Sequence, residues 1–285
     1  MTGREGREAV TAGWFENVDP DDTAAGADAI REGRAEDPED WPARAAEAGV
    51  VGDREAYYDR LHAAAVEGAR VAASERESAR DQQLVHALRA MDDLAETTNE
   101  LAERLTEWAG SAFDETGGGV AFAREVADRN PRGATEERIV ALAGRVVDLA
   151  EERAALRAFV ETETPEIAPN LAAIAGPVLA ARLIALVGGL EDLAKKPSST
   201  VQVLGAEDAL FAHLEGRAPS PKHGVIYTHE YVRETRPEER GSAARALAGK
   251  LTIAARVDHY AGERKPEIDA ELEARIDRIR SRGAA

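Results

Sequence analysis

The sequence predicts a mainly α-helical protein: a small N-terminal domain (α or α/β), a long antiparallel coiled-coil hairpin, and a compact all-α domain after it. Three observations carry this reading. Apolar residues recur in steps of three and four through 87–108 and again through 139–160. Aromatic residues are only 5% of the chain while Ala is abundant, which suits helices packed closely through small side chains. Strand signal after residue 170 is confined to Val225, Ile226 and Tyr227.

Residues 1–52 are irregular, with turn signals at Asp19-Pro20-Asp21-Asp22, Asp37-Pro38 and Trp41-Pro42. Trp14, Phe15 and Trp41 are its expected buried anchors. The acidic, Gly-rich composition fits a small domain or a partly disordered one. Residues 53–169 form a helical linker and the hairpin. Helical pattern over 54–80 leads into a first seam of Ala87, Met91, Leu94, Thr98, Leu101, Leu105 and Trp108. Residues 110–133 interrupt it with Gly117-Gly118-Gly119 and Asn130-Pro131, and Thr135 followed by Glu136 and Glu137 predicts a capped restart. The second seam runs Ile139, Leu142, Val146, Leu149, Arg153, Leu156 and Val160, and Pro165 and Pro169 are expected to end it. The heptads do not fix the number of chains, because Ala and Thr at core positions specify partners weakly. A bundle arm and a dimerising arm both fit. Residues 170–262 read as a compact helical domain, with helical runs at Leu179 to Leu186 and Leu247 to Val257. Residues 263–285 read as a charged, exposed or frayed helical tail.

Charge divides the chain unevenly. The net charge of −18 comes from −9 in residues 1–80, −10 in 81–169, +1 in 170–262 and zero in 263–285. Such acidity repels nucleic acid over most of the surface and leaves 170–262 as the place where RNA could bind. Five of the 36 basic residues are Lys, a bias that a salt-loving source or a high-GC genome would produce. Without cysteine there is no disulfide and no thiolate metal site. No apolar run reaches the roughly 18 residues of a membrane span, and Met1 to Val10 lacks the apolar stretch of a signal peptide, so a cytoplasmic protein is expected.

Several chemistries have no motif here. Gly249-Lys250 lacks the flanking residues of a phosphate loop, no GxGxxG turn follows a strand, and neither GxSxG nor HExxH occurs. His213, His223 and His229 could hold zinc only with all three ligating and an open position. No catalytic residue, cofactor or metal is expected. The basic and polar residues of 170–262 fall in four places: Lys195-Lys196, Gln202, the stiff Pro219–Gly224 loop carrying Lys222 and His223, and Arg240, Arg245, Lys250 and Arg256. Lys and His beside free N–H groups at a helix start suit phosphate, and a solvated basic face fits the same residues.

The run from Ile167 to Val232, containing LAKKPSSTVQVLGAE and PKHGVIYTH, resembles the Nop domain, and specifically the archaeal Nop-family core protein of box C/D guide ribonucleoproteins. Residues 240–262 and 84–108 extend the resemblance, which covers about 81–262. It implies a non-catalytic scaffold. The N-terminal region would dock a fibrillarin-like 2′-O-methyltransferase, and the coiled coil would self-associate. The Nop domain would bind guide RNA at a kink-turn already occupied by a ribosomal-protein-like binder. The particle would methylate rRNA or tRNA. The alternative is a Nop-domain protein of another particle, without a methyltransferase. The resemblance carries RNA and composite-surface contacts onto Gln202, Gly205, Ala206, Glu207, Lys222 and His223, with His223 as a stacking residue. The chain departs from the pattern at Asp208 and Ala212, where many members carry a base, so shape, stacking and hydrogen bonds are expected to carry more of the affinity.

Overall fold

Three aspartates start the helices of the N-terminal unit. Asp22, Asp40 and Asp53 each accept the backbone N–H three residues on, opening α1 (Thr23–Glu32), α2 (Trp41–Glu47) and α3 (Arg54–Ser78). Each such cap contributes about 1 kcal/mol. In this computed structural model the described residues are 13–16, 18–19, 22–33, 39–113 and 116–282. Phe15, Ala45 and Tyr57 form a small core, with Trp14 and Trp41 half-buried against it and Trp14 Nε1 donating to the Tyr57 hydroxyl at 3.1 Å. The three expected anchors therefore do pack together. Small residues bring α1 onto α3, since a Cβ on Gly68 would meet Ala27 at 3.6 Å.

No strand occurs among the described residues, so the described part of this unit is helical, the first of the two alternatives. The chain separates into compact units at 79/80 and not at 52, because α3 packs on α1 and α2. The Asp37-Pro38 turn lies outside the described residues, as do Pro20 and Asp21 of the DPDD turn.

The second unit begins with α4 (Arg80–Phe113) and α6 (Ala134–Ile167), which pack antiparallel. Arg80 at the start of α4 pairs with Glu163 at the end of α6, at 2.9 Å. At the other end Leu105 shares a core with Ile139. The interruption is more than a loop: α5 (Gly119–Ala127) sends Phe122, Ala123 and Val126 into that core. The seam also shifts at the tip. Ala102, Leu105 and Ala109 are buried against Ile139, Ala143 and Val146, while Leu101 is half-buried and Trp108 is 39% exposed. Small alanines permit closer approach than the Leu101–Trp108 line would. Met91 and Leu156 join the larger core at the base instead of an arm interface. Leu142, Leu94 and Leu149 are half-buried and Arg153 is exposed.

The start of α6 also differs. Gly133, not Thr135, occupies the cap position, and the Glu136 carboxylate accepts the Arg132 N–H at 2.7 Å. Pro165 lies within the last turn and does not end the helix. Proline forfeits only its own N–H bond there, while the buried Val160 and Thr164 hold that turn in the core.

The remaining helices surround α13 (Arg240–Tyr260), whose buried face is mostly alanine: Ala243, Ala244, Ala246, Ala248, Ala254 and Ala255, with Leu247 and Leu251. Around it lie α7 (Pro169–Ala175), α9 (Leu190–Lys195), α10 (Ser198–Val203), α12 (Glu230–Arg233) and α14 (Glu267–Ser281). Between α7 and α9, α8 (Pro177–Val187) packs on α4 and α6. Buried Asp258 on α13 accepts the N–H groups of Asn170 and Leu171, capping α7 from a distance in sequence. Arg182 on α8 holds Asp92 on α4 through two bonds of 2.7 and 2.8 Å.

The C-terminal segment is part of this core and not a frayed tail. Ile268, Leu272, Ile276 and Ile279 on α14 are all buried in it. Val225–Thr228, which carries the strand signal, forms a 3-10 turn. Among the described residues no single helix is long and apolar enough to cross a membrane.

Candidate nucleic-acid interface

Two backbone segments join where α10 ends. Residue 224 must be glycine, because a Cβ there would overlap the Leu204 carbonyl. That closeness lets the Gly224 N–H donate to the Gln202 carbonyl at 2.9 Å and the Val225 N–H to the Leu204 carbonyl at 2.7 Å. Gln202 adds a third bond, its Nε2 donating to the Lys222 carbonyl at 2.7 Å. Gly205, at φ +77°, turns the chain away into α11 (Glu207–Leu214), and its N–H donates to the Glu207 carboxylate at 2.8 Å. Glu207 thus shapes the turn, leaving Gly205 exposed beside Ala206. Lys222 and His223 sit on a loop fixed by three hydrogen bonds, so little ordering entropy remains to be lost on binding.

The imidazole of His223 stacks on Tyr227 with centroids 4.6 Å apart and planes 24° apart. The Arg240 guanidinium lies 5.5 Å from the same ring and donates to the Thr235 and Arg233 carbonyls at 3.0 and 3.2 Å. The Lys222 stem runs over the start of α13, 3.7 Å from where a Gly241 Cβ would stand. Burial pushes the His223 pKa below its ordinary 6.5, and the Arg240 and Lys222 charges push the same way. His223 is therefore neutral at pH 7: a flat uncharged ring beside two cations. That combination can stack a nucleobase and neutralise its phosphate.

The four basic places do not converge. Gln202, Lys222, His223 and Arg240 come together. Lys195 is spent on Glu191 at 2.5 Å, and Lys196 caps the end of α9. Their helix meets the far end of α13, where Arg256 donates to the Ala194 carbonyl at 3.0 Å. Arg256 is roughly 24 Å along the helix from Arg240. Lys250 pairs with Glu271. Arg245 faces α14. The three histidines hold no metal-binding arrangement among the described residues. His213 Nδ1 bonds the Ala218 carbonyl, and His229 lies between Ile174 and Tyr231. Tyr227 went unmarked in the sequence because its apolar neighbours read as a strand; an aromatic four residues after His223 was the available signal.

An all-α domain carrying a long helical hairpin and one aromatic, basic loop edge defines a helical binding module. A family model described as "Nop: snoRNA binding domain, fibrillarin" matches residues 120–280. The chain belongs to the Nop family. It is 37% identical over 238 residues to an uncharacterized NOP5 family protein of Methanocaldococcus jannaschii, covering 70% of this chain and 58% of the relative. It is 35% identical over 242 residues to nucleolar protein 58 of Scheffersomyces stipitis, covering 72% and 47%. The chain therefore spans about half the length of the curated relatives it matches. A solved chain titled as a fibrillarin/Nop5p complex shares the fold, at TM-score 0.53 and 24% identity over 90% of this chain and 92% of that one.

Proposed function

We propose that this protein is the non-catalytic scaffold of a box C/D ribonucleoprotein. It joins guide RNA, at a kink-turn already held by a small protein, to a fibrillarin-like 2′-O-methyltransferase. The observation that carries the reading is the fixed loop edge of Lys222, His223, Tyr227 and Arg240, a neutral stacking ring beside two cations on a chain of net charge −18. Membership of a family described as snoRNA-binding supports an RNA partner, and the relative crystallised with fibrillarin supports the methyltransferase partner. Self-association through the hairpin fits the exposed Trp108 on its flank. Residues 1–52 are the proposed docking region for the methyltransferase. Catalysis belongs to that partner.

The test is binding of the purified chain to a box C/D kink-turn RNA, with and without the kink-turn binder, in high potassium chloride. Binding is expected only with the binder present. His223→Ala should weaken it about tenfold or more, the worth of one stacked base, and His223→Phe should restore much of the loss. Absence of binding to the composite would end this reading.

A further inference from the structure

A second basic feature lies on α13 and α14, away from the loop edge. A cavity of about 360 Å³ opens between these helices, lined by Ser242, Arg245, Arg275, Arg278, Ile279 and Arg282. Four of the six are arginines, and none of the four pairs with a carboxylate among the described residues. Among the described residues only Arg278 of the four makes a side-chain hydrogen bond, its Nε donating to the Ala274 carbonyl at 3.1 Å. The Ser242 hydroxyl, in the first turn of α13, has no partner among the described residues. By contrast Arg80, Arg182 and Arg264 are each paired with a carboxylate.

Stability accounts for part of the cluster only: the dipole of α14 favours Arg278 at its C-terminal end, but Arg245 and Arg275 lie away from it. Arg275, Arg278 and Arg282 follow one another at spacings of three and four on one face, so they repel. Solubility does not account for it, because this chain is kept soluble by net negative charge, which each unpaired arginine reduces. Guanidinium groups converging on an open cavity are the usual means of gripping phosphate oxygens, two donors at a time.

We propose that this cleft is a second phosphate-binding site, which takes backbone phosphates of the RNA whose base stacks at His223. The inference rests on the RNA-binding reading above. Proximity supports it: Arg240 and Arg245 are five residues apart on α13, about 7.5 Å along the axis and about 140° around it, so a strand leaving the first site turns around the start of the helix to reach the second. The cleft reads no sequence. It fixes register and orientation and makes the affinity salt-dependent.

The experiment compares wild type, Arg275→Gln/Arg278→Gln and His223→Ala. Each is titrated with kink-turn RNA carrying its binder, over potassium chloride from the lowest concentration at which the chain stays folded. Both arginines are exposed, so circular dichroism should show an unchanged melting temperature. The double variant should bind about tenfold more weakly at low salt, and its slope of log affinity against log salt should fall by roughly 1.5, two lost phosphate contacts. His223→Ala should lose affinity at an unchanged slope. Wild-type binding with the same slope in the double variant would overturn the cleft and leave the scaffold reading standing. No binding by the wild type would overturn both. A separate titration with the binder protein alone closes the remaining route: binding of that protein lost on Arg275→Gln/Arg278→Gln would mean that the cleft holds an acidic protein face, against the proposal.

Discussion

His229 shows how one side chain can tie a loop to the core. Its Nε2 bonds the Ile174 carbonyl at 2.9 Å, so it must donate there, and its Nδ1 accepts the Tyr231 N–H at 3.1 Å. Both positions are filled by the neutral ring. A second proton on Nδ1 would displace the Tyr231 N–H and place a charge in a largely buried site. Burial accordingly pushes the His229 pKa below 6.5, and His223 shifts the same way. The unfolded chain takes up these protons near pH 6.5, while the folded chain resists until lower pH. Between those points the unfolded state binds more protons, so stability is full above about 6.5 and falls as the solution is acidified. The urea midpoint should drop between pH 7.5 and 5.5. His229→Gln should cost roughly 1–2 kcal/mol at pH 7.5, because one of two hydrogen bonds survives, and should flatten the pH dependence. An undiminished pH slope in that variant would place the acid lability elsewhere.

Among the elements, the hairpin separates two faces that its sequence merges. Leu105 is fully buried against α5 and α6, whereas Trp108, one turn on, is 39% exposed. Leu105→Asp should unfold the tip, at a cost of about 3–5 kcal/mol for an unpaired buried charge. Trp108→Asp should change stability by less than about 1 kcal/mol and, under the proposed self-association, abolish the dimer, read by sedimentation. A Trp108→Asp protein that still dimerises would move the contact off this flank. The helices were legible because steps of three and four persist for several turns, but the same pattern cannot say which apolar residues meet their own chain and which a second one. Two misreadings have a common cause in local rules overruled by the core. Pro165 suggests a stop, yet the buried Val160 and Thr164 carry the helix past it. Arg275, Arg278 and Arg282 suggest a solvated tail, although Ile268, Leu272, Ile276 and Ile279 in the same helix mark a buried stripe. At the candidate site, Lys222 and His223 were legible as a stiff loop between prolines and glycine. Their stacking partner Tyr227 and the bonds to Gln202 and Leu204 link residues too far apart in sequence for periodicity to reveal.

At the scale of the whole molecule, charge assigns different tasks to different stretches. Residues 1–169 carry −19 and residues 170–262 carry +1, so charge opposes RNA over most of the chain and opposes it least over the stretch that holds the loop edge. The acidity has a cost in stability. Exposed pairs such as Arg104–Glu107, Arg145–Asp148 and Arg157–Glu161 return well under 1 kcal/mol each, and they leave most carboxylates in the hairpin facing one another through solvent. The range of that repulsion is set by salt, about 10 Å at 0.1 M and about 3 Å at 1 M. The urea midpoint should therefore climb as potassium chloride rises from about 0.1 to about 1 M, steeply at first and then more slowly. RNA affinity should fall over the same range, but less than for a protein held by many phosphate contacts, because stacking at His223 is not screened. Salt that stabilises the fold weakens the electrostatic share of binding, so the proposed RNA contact rests on shape and stacking. A midpoint that stays flat with salt would show that repulsion among these carboxylates costs the fold little. In that case solubility alone would account for the acidic half.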